Sequence, residues 1–528
     1  MSAPVPPVAV DVSDAYVLVL TPANILLYER RSGSLVSALD ADIDASASNA
    51  QRTAFPRFGA FSPDQAYVAV VGDDKSVRVW RPTELRYGAE VLCERLPKRA
   101  GTLRWVPCTL DDGTSSFEVV LADKFGDVWS FAVDTSQAPA PLAASDEDDE
   151  SVVPRLGHVS MVTAVDFIGD GVPSEIITCD RDEHIRISRW GRERLGYVIS
   201  QYLLGSRGAV GAVAVLSEEA TTRAGLGAGA SAIVSADGGE GLRLWSKVDG
   251  SYVLRSSLAL DRDTLAATIA VNAETERLRE RAANNMAFRG AFNQDEPSNK
   301  RQKHETESAE QEGPTLIITN IIPHAAGGHD WLLVTLDGCV IADSANSFFT
   351  LRLDELRAGR EQPVADVNVH RVGAPVIDIA VCGSDIWAIC DDRPGIGQGT
   401  APLHRFTWTD AGIEASAVPG ALGELARPAG EVPDMSVPEP KKNELTAVAC
   451  TPRAITSDVT LSKLCFYTAL TTWPKPASSG EGPHAGFFLA KHTDQVSQDM
   501  LQRFQAGKRA AGRAKNQAKI REQYGEAS

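Results

Sequence analysis

Two short turns in this sequence contain clusters of ionisable residues that could take part in catalysis or binding. The first lies in LADKFGDVWSF (121–131), where Asp123, Lys124 and Asp127 surround Gly126. The second lies in TCDRDEHIRIS (178–188), which has five consecutive ionisable residues from Asp180 to His184. Carboxylates beside a histidine could act as acid and base, but catalysis also needs a nucleophile and an oxyanion site. The nine histidines form no H-x-H or H-E-x-x-H motif, and no G-x-S-x-G elbow occurs, so the sequence favours binding over catalysis.

The glycine-rich segment GLGAGAS (225–231) is the other candidate for a ligand site. A loop that holds a nucleotide or S-adenosylmethionine needs a strand before it and a helix N-terminus after it. Here the following residues, AIVSADGGEGLRLW, have the pattern of a strand and hairpin instead. We therefore expect a flexible loop and no cofactor on this chain.

The composition restricts the class of protein. The chain has 528 residues and a formal charge of −18, which argues against wrapping of nucleic acid by its whole surface. The eight cysteines form no C-x-x-C pair, so we expect reduced thiols in the cytosol or nucleus and no zinc site. No apolar run is long enough for a transmembrane helix, and the N-terminus does not have the pattern of a signal peptide.

The charged turns recur along the chain, and this recurrence indicates the fold. VVGDDKSVRVW (70–80) and SADGGEGLRLW (235–245) resemble the two segments above, and fainter copies end near Tyr28, Asp343 and Trp408. In each copy a polar turn precedes apolar residues at alternate positions, which is typical of a hairpin followed by a half-buried strand. About seven such units predict an all-β, seven-bladed WD-repeat β-propeller, and Gly157–His158 matches the Gly-His signature of that repeat. The charged turns are then hairpins at the rim of the propeller.

We assign the propeller to residues 1–475 and a C-terminal tail to 476–528. Three segments inside the propeller are predicted as inserts: an acidic loop (144–151), a helical and disordered insert (273–313) and a Pro/Gly-rich loop (418–440). KRQK (300–303) could be a nuclear-import signal or only a solvated basic cluster.

The tail contains a basic segment of helix-forming composition at 503–521. Its cations are candidates for contacts with tRNA phosphates, namely Lys508, Arg509, Arg513, Lys515, Lys519 and Arg521. The alternative is a frayed, soluble chain end.

Two segments go beyond the general propeller pattern. ADKFGDVWSF, and RLGHVSMVTAVDFI followed by IITCDRDEHIRISRW, resemble the WD-repeat, non-catalytic subunit of the eukaryotic, fungal-type tRNA (guanine-N7-)-methyltransferase. The resemblance covers about 119–204. It implies a heterodimer in which a separate Rossmann-type subunit holds S-adenosylmethionine and forms 7-methylguanosine in the tRNA variable loop. This chain would stabilise that subunit and help to position tRNA, in the nucleus and also in the cytoplasm.

The resemblance also implies partner-binding residues. Asp182 and Arg186 are expected to form salt bridges with the catalytic subunit, and their neighbours in the two turns are Arg181, Glu183, His184, Lys124 and Asp127. An ordinary hairpin does not need five ionisable residues, so the DRDEH turn independently favours selection of one partner. For Asp180, in register with Asp123 and Asp237, we expect a structural role. A generic WD-repeat adaptor of a ubiquitin ligase or chromatin complex is the alternative function, and a self-sufficient enzyme is disfavoured.

Overall fold

The computed structural model describes thirteen segments of the chain. They are 6–40, 55–136, 153–169, 171–191, 196–206, 209–237, 241–260, 317–337, 346–358, 360–364, 368–392, 400–409 and 412–425. The predicted inserts 144–151 and 273–313 and the tail 476–528, with its candidate tRNA-binding residues, lie outside the described residues. None of the helices in the described segments is long and apolar enough to span a membrane.

The described strands form seven antiparallel blades, and each blade consists of strands that follow one another in the chain or nearly so. Blade 1 contains β1 (Ala9–Val12), β2 (Tyr16–Leu20), β3 (Asn24–Glu29) and β4 (Leu35–Asp40). Blade 2 contains β5 (Pro56–Phe61), β6 (Val68–Gly72), β7 (Ser76–Trp80) and β8 (Leu92–Arg95). Blade 3 contains β9 (Ala100–Thr109), β10 (Ser115–Asp123), β11 (Asp127–Ala132) and β12 (Leu156–Gly157). Blade 4 contains β13 (Val162–Ile168), β14 (Glu175–Asp180), β15 (Ile185–Arg189) and β16 (Ile199–Leu203).

The second half of the chain supplies the remaining three blades. Blade 5 contains β17 (Val213–Val215), β18 (Ile233–Asp237), β19 (Gly241–Val248) and β20 (Ser251–Leu260). A fifth strand, β24 (Arg360–Val364), pairs in parallel with β20. Blade 6 contains β21 (Ile318–Ala326), β22 (His329–Leu336), β23 (Asn346–Arg352) and β25 (Asn368–Arg371). Blade 7 contains β26 (Val376–Cys382), β27 (Asp385–Cys390), β28 (Leu403–Thr409) and β29 (Gly412–Ser416).

Short helices lie between some of these strands and after the last of them. They are a 3-10 turn (Pro82–Glu84), α1 (Glu218–Arg223), α2 (Leu353–Ala358) and α3 (Leu422–Leu425). The helix α1 precedes the glycines of 225–231, and the strand β18 follows them, which is the reverse of the order that a phosphate-binding loop requires. The prediction that this segment is a loop inside a blade is therefore confirmed.

The central strands of the blades are apolar on both faces because each blade packs between two others. In β10, Val119 and Leu121 belong to a cluster shared with blade 2. The alternate residues Val120 and Ala122 belong to a cluster shared with blade 4. Successive side chains of a strand point to opposite faces of the sheet, so a strand between two neighbours is apolar at every position. This packing explains why FEVVLA lacks the clean alternation of a strand with one solvated face.

Blades 1 and 7 close the ring without a shared strand among the described residues. Val10 of β1 and Trp387 of β27 are buried in one apolar cluster. Leu422 and Leu425 also belong to it, so the first part of the predicted Pro/Gly-rich loop (418–440) is a buried helical turn rather than a loop. Two leucines three positions apart lie on the same side of a helical turn, which lets both reach this cluster.

Aspartates on the innermost strands connect three pairs of adjacent blades. Asp11 accepts a hydrogen bond from Phe61 N at 2.7 Å, and Asp166 accepts one from Val215 N at 2.7 Å. Asp378 accepts one from Val10 N at 3.0 Å, which joins blade 7 to blade 1. Burial raises the pKa of Asp378 to about 7 and that of Asp11 to about 6, although the Arg104 guanidinium opposes both shifts.

We expect the contributions of Asp378 and Asp11 to the stability of the propeller to fall as the pH rises from about 4 to about 7. A carboxyl group with a raised pKa in the folded state keeps its proton there after the unfolded chain has lost its own. The favourable contribution of this group to the free energy of unfolding therefore disappears as the pH rises through this window. Asp378→Asn keeps one acceptor oxygen but does not titrate. It should reduce the loss of stability between pH 4 and pH 7 by about 1–3 kcal/mol. Urea unfolding at several pH values measures this, with the exposed Asp111→Asn as control. Equal pH slopes for the Asp378→Asn variant and wild type would contradict the expectation.

Candidate partner interface on blades 3 and 4

The DRDEH turn is built around the carboxylate of Asp180. This residue ends β14, and its Oδ1 accepts hydrogen bonds from Asp182 N at 2.9 Å and His184 N at 3.1 Å. Its Oδ2 lies 3.0 Å from Nδ1 of His158 and 3.1 Å from Nδ1 of His184. The predicted structural role of Asp180 is therefore confirmed.

His158 connects this turn to the body of blade 4. Its side chain is buried, and its Nε2 lies 2.7 Å from Oγ1 of Thr178 in β14. Burial by itself would raise the pKa of Asp180, but hydrogen bonds from His158 and His184 outweigh this effect and hold the pKa below its usual value. The carboxylate is ionised at neutral pH and can accept all four contacts. Gly157–His158 thus performs the structural function that its dipeptide signature indicates.

Asp123 has the corresponding role in the turn of blade 3. Its Oδ1 accepts hydrogen bonds from Phe125 N at 2.8 Å and Asp127 N at 3.2 Å. Its Oδ2 accepts one from Nε1 of Trp129 at 3.1 Å. The equal register of Asp123 and Asp180 in the sequence therefore reflects one repeated device for closing a turn.

The side chains of the DRDEH turn differ in how far they reach solvent. The His184 side chain is 51% exposed and packs edge-to-face on Tyr202. Arg181 is partly exposed, and Glu183 has a φ of 73° in the left-handed region. The Asp182 side chain is only 3% exposed, with its Oδ1 3.9 Å from Nε of Arg181. In this conformation the turn presents Arg181 and His184 to a partner rather than Asp182.

Arg186 occupies a position that differs from the expected partner-facing cation. It lies in β15 opposite Thr178 and Tyr202 and is only 6% exposed. Its Nε donates to Ser188 Oγ at 2.7 Å, and its two terminal nitrogens donate at 2.9 Å to the carbonyl oxygens of Gly157 and Gly196. Burial lowers its pKa. These contacts favour a structural role for Arg186, which fastens β15 to the edge strand of blade 3.

The two turns are brought together by a close backbone contact at Gly126. This residue has a φ of 100°, and a Cβ atom there would lie 2.4 Å from the carbonyl oxygen of Ser160. His158 N also donates to the Gly126 carbonyl at 2.9 Å, and Arg181 N donates to the Met161 carbonyl at 3.0 Å. Only glycine permits this approach. The turn of blade 3, the link at 158–161 and the turn of blade 4 therefore form one continuous surface.

We call this region the 3–4 surface and define it by Lys98, Lys124, Phe125, Val159, Arg181 and His184. Of the residues predicted from sequence, Lys124, Arg181 and His184 lie on it. Asp127 lies at its base, half-buried, and burial together with the charge of Asp123 raises its pKa. Lys98, Phe125 and Val159 were not predicted. The only signal for Phe125 was an apolar residue placed at the centre of a charged turn.

Comparison with known proteins agrees with these motifs. Residues 140–302 match a protein family described as the tRNA methyltransferase TRM82 WD40 domain. The chain is 30% identical over 200 residues to the tRNA (guanine-N(7)-)-methyltransferase non-catalytic subunit TRM82 of Meyerozyma guilliermondii, covering 37% of this chain and 40% of that protein. It is 31% identical over 242 residues to the TRM82 subunit of Phaeosphaeria nodorum, covering 38% and 46%.

A vertebrate relative shows the same similarity. The chain is 30% identical over 194 residues to the non-catalytic subunit wdr4 of Xenopus laevis, covering 37% of this chain and 40% of that protein. The chain thus matches less than half of the length of each of these curated relatives. The resemblance predicted from the two motifs is confirmed.

Proposed function

We propose that this chain is the non-catalytic subunit of a heterodimeric tRNA (guanine-N7-)-methyltransferase. The observation that carries the proposal is the contact at Gly126, which joins the DKFGDV and DRDEH turns into one surface. These are the same two motifs that carry the resemblance, and residues 140–302 match the TRM82 family. Two turns that are adjacent only in the folded protein, and that share a charged and apolar face, are suited to binding one protein partner.

In this proposal the chemistry belongs to the partner. A separate methyltransferase subunit holds S-adenosylmethionine and methylates N7 of a guanosine in the tRNA variable loop. This chain holds that subunit in its active shape through the 3–4 surface. A rigid, preorganised surface suits this task because less conformational freedom is lost when the partner binds. We propose the nucleus, and also the cytoplasm, as the location of the complex.

Co-expression tests the proposal. The full chain is purified with and without the catalytic subunit of the same organism, and 7-methylguanosine is measured in tRNA incubated with S-adenosylmethionine. We expect a stoichiometric complex with activity, and no saturable binding of S-adenosylmethionine to the chain alone by calorimetry. Micromolar binding to the isolated chain would contradict the proposal. Failure to copurify with the subunit, together with capture of a ubiquitin ligase or histones, would favour the adaptor function.

The basic segment 503–521 is proposed to add tRNA contacts, through Lys508, Arg509, Arg513, Lys515, Lys519 and Arg521. Deleting 503–528 from the complex should weaken tRNA affinity several-fold at moderate salt and flatten its dependence on salt, because each lost phosphate contact removes counterion release. Filter binding at a series of salt concentrations measures both quantities. An unchanged slope would show that the segment does not contact RNA. Replacing the same segment by an uncharged sequence of equal length separates charge from length.

A further inference from the structure

The 3–4 surface combines exposed apolar side chains with cations. The four most exposed large apolar side chains among the described residues are Val159, Leu204, Tyr197 and Phe125, and all four come from blades 3 and 4. Single exposed apolar residues need no explanation, but a concentration of them in one region marks an interaction site. The rest of the described propeller has no comparable concentration at this level of exposure.

Topology places three of these side chains at the same end of the blades. In a four-stranded meander, the turn between the second and third strands lies at the same end as the link that leaves the fourth strand. Phe125 lies in such a turn, and Val159 and Leu204 lie in the links that follow β12 and β16. Because Ile185 pairs with Leu203, Leu204 also adjoins the DRDEH turn. These three apolar residues therefore lie among the charged residues of the 3–4 surface, whereas Tyr197, between β15 and β16, lies at the opposite end of blade 4.

Phe125 is the most suitable of them to act as an anchor. Phe125 is 65% exposed, although the backbone on both sides is fixed by Asp123 and by the packing of Gly126. A large ring on a rigid turn loses little conformational freedom when it enters a pocket. Nζ of Lys98 lies 5.2 Å from the centre of the ring, so a cation accompanies the apolar group.

We propose that Phe125 inserts into an apolar pocket of the catalytic subunit and that carboxylates around this pocket contact Lys98, Lys124 and Arg181. The proposal rests on the proposed function and specifies the chemistry of its partner. A central aromatic anchor surrounded by charged contacts is the usual anatomy of a strong protein interface. The anchor supplies most of the affinity, whereas the exposed cations mainly direct the encounter and select the partner.

The central experiment compares Phe125→Ala with wild type, using the full chain and the purified catalytic subunit. We expect binding at least about 30-fold weaker, as for a hot-spot residue. The melting temperature of the free chain should not change because the exposed ring contributes little to the folded state. Affinity is measured by calorimetry and melting by circular dichroism. An affinity within twofold of wild type would overturn the anchor role and leave the proposed function intact.

Two valines of blade 4 provide a matched control. Val159 is 95% exposed on the 3–4 surface, whereas Val172 is exposed on the loop between β13 and β14 at the opposite end of the blade. Val159→Ala should weaken binding about 3–10-fold and Val172→Ala should leave it unchanged, since the same methyl groups are removed in both variants. Equal effects of the two variants would exclude the 3–4 surface as the contact.

The role of the cations is tested separately, by the rate of association with the catalytic subunit. Lys98→Glu should reduce the association rate at low salt, and the difference from wild type should shrink as salt is added. A change confined to the dissociation rate, with no salt dependence, would contradict the expected role of Lys98. If wild-type chain fails to bind the catalytic subunit at all, both this inference and the proposed function are wrong.

Discussion

The Arg186→Glu variant is expected to unfold at a much lower denaturant concentration than wild type, whether or not the partner is present. The substitution removes the donors that serve Ser188 and the carbonyl oxygens of Gly157 and Gly196. It also puts a carboxylate beside these oxygens in a position that is almost inaccessible to water. Leaving buried polar groups unpaired and burying a charge without a partner costs about 3–5 kcal/mol. Urea unfolding of the isolated chain gives the difference directly.

Arg189 offers a matched control in the same strand. It ends β15, and its side chain is exposed, so Arg189→Glu makes the same change of charge without disturbing a buried group. We expect a difference of less than about 0.5 kcal/mol. Arg186→Lys should give an intermediate loss because an ammonium group cannot reproduce the planar fork that reaches two carbonyl groups.

Unfolding of the Arg186→Glu variant also separates two explanations for a failure of this variant to bind the catalytic subunit. If Arg186 formed a direct ion pair with the catalytic subunit, Arg186→Glu would leave the free chain stable and a basic substitution in the partner would restore binding. If Arg186 supports blade 4, the free chain is destabilised and no substitution in the partner rescues it. Normal unfolding of the variant, followed by such a rescue, would contradict the structural role that its buried contacts favour.

Arg186 illustrates where reasoning from the sequence stops. The alternation of Ile185, Arg186 and Ile187 correctly places the arginine on the face opposite the two isoleucines. In an isolated sheet this face would be solvated. In the propeller, Arg186 meets the carbonyl oxygen of Gly157 in blade 3, 29 residues away, and that of Gly196, 10 residues away. Its burial therefore depends on packing between blades, which no local pattern encodes.

The turns themselves were predictable because their determinants are local. An aspartate at the end of one strand accepts backbone N–H groups two and four residues further on, and Asp123 and Asp180 both do so. This arrangement is an Asx-type turn and leaves a recurring Asp in the sequence. The number of blades followed from counting these copies. By contrast, the parallel addition of β24 to blade 5 and the exposure of Phe125 depend on tertiary contacts and left no comparable signal.

Asp180→Ala is expected to destabilise the chain by about 2–4 kcal/mol at neutral pH and to weaken binding of the catalytic subunit. The variant loses the acceptor for two backbone N–H groups and leaves His158 without its carboxylate. Hydrogen bonds to a buried charged acceptor are worth about 1.5–3 kcal/mol each, and partial relaxation of the turn reduces their sum. The affinity for the catalytic subunit should fall because this turn positions Arg181 and His184. Urea unfolding and calorimetric affinity measure the two effects, with the exposed turn aspartate Asp111→Ala as control.

The pH dependence of the stability lost in the Asp180→Ala variant identifies the cause of that loss. The pKa of Asp180 is lowered in the folded state, so its stabilising contribution is complete above the ordinary carboxyl pKa and disappears as the pH falls below about 4. The stability of wild type should therefore approach that of Asp180→Ala in acid. A double-mutant cycle with His158→Ala should show a coupling of about 1–2 kcal/mol at neutral pH, since the two side chains share a buried hydrogen bond. A gap between wild type and variant that stays constant down to about pH 3, with additive single and double variants, would mean that the carboxylate does not organise the turn. In that case the positions of Arg181 and His184 on the 3–4 surface would have to be set by the backbone of the link at 158–161.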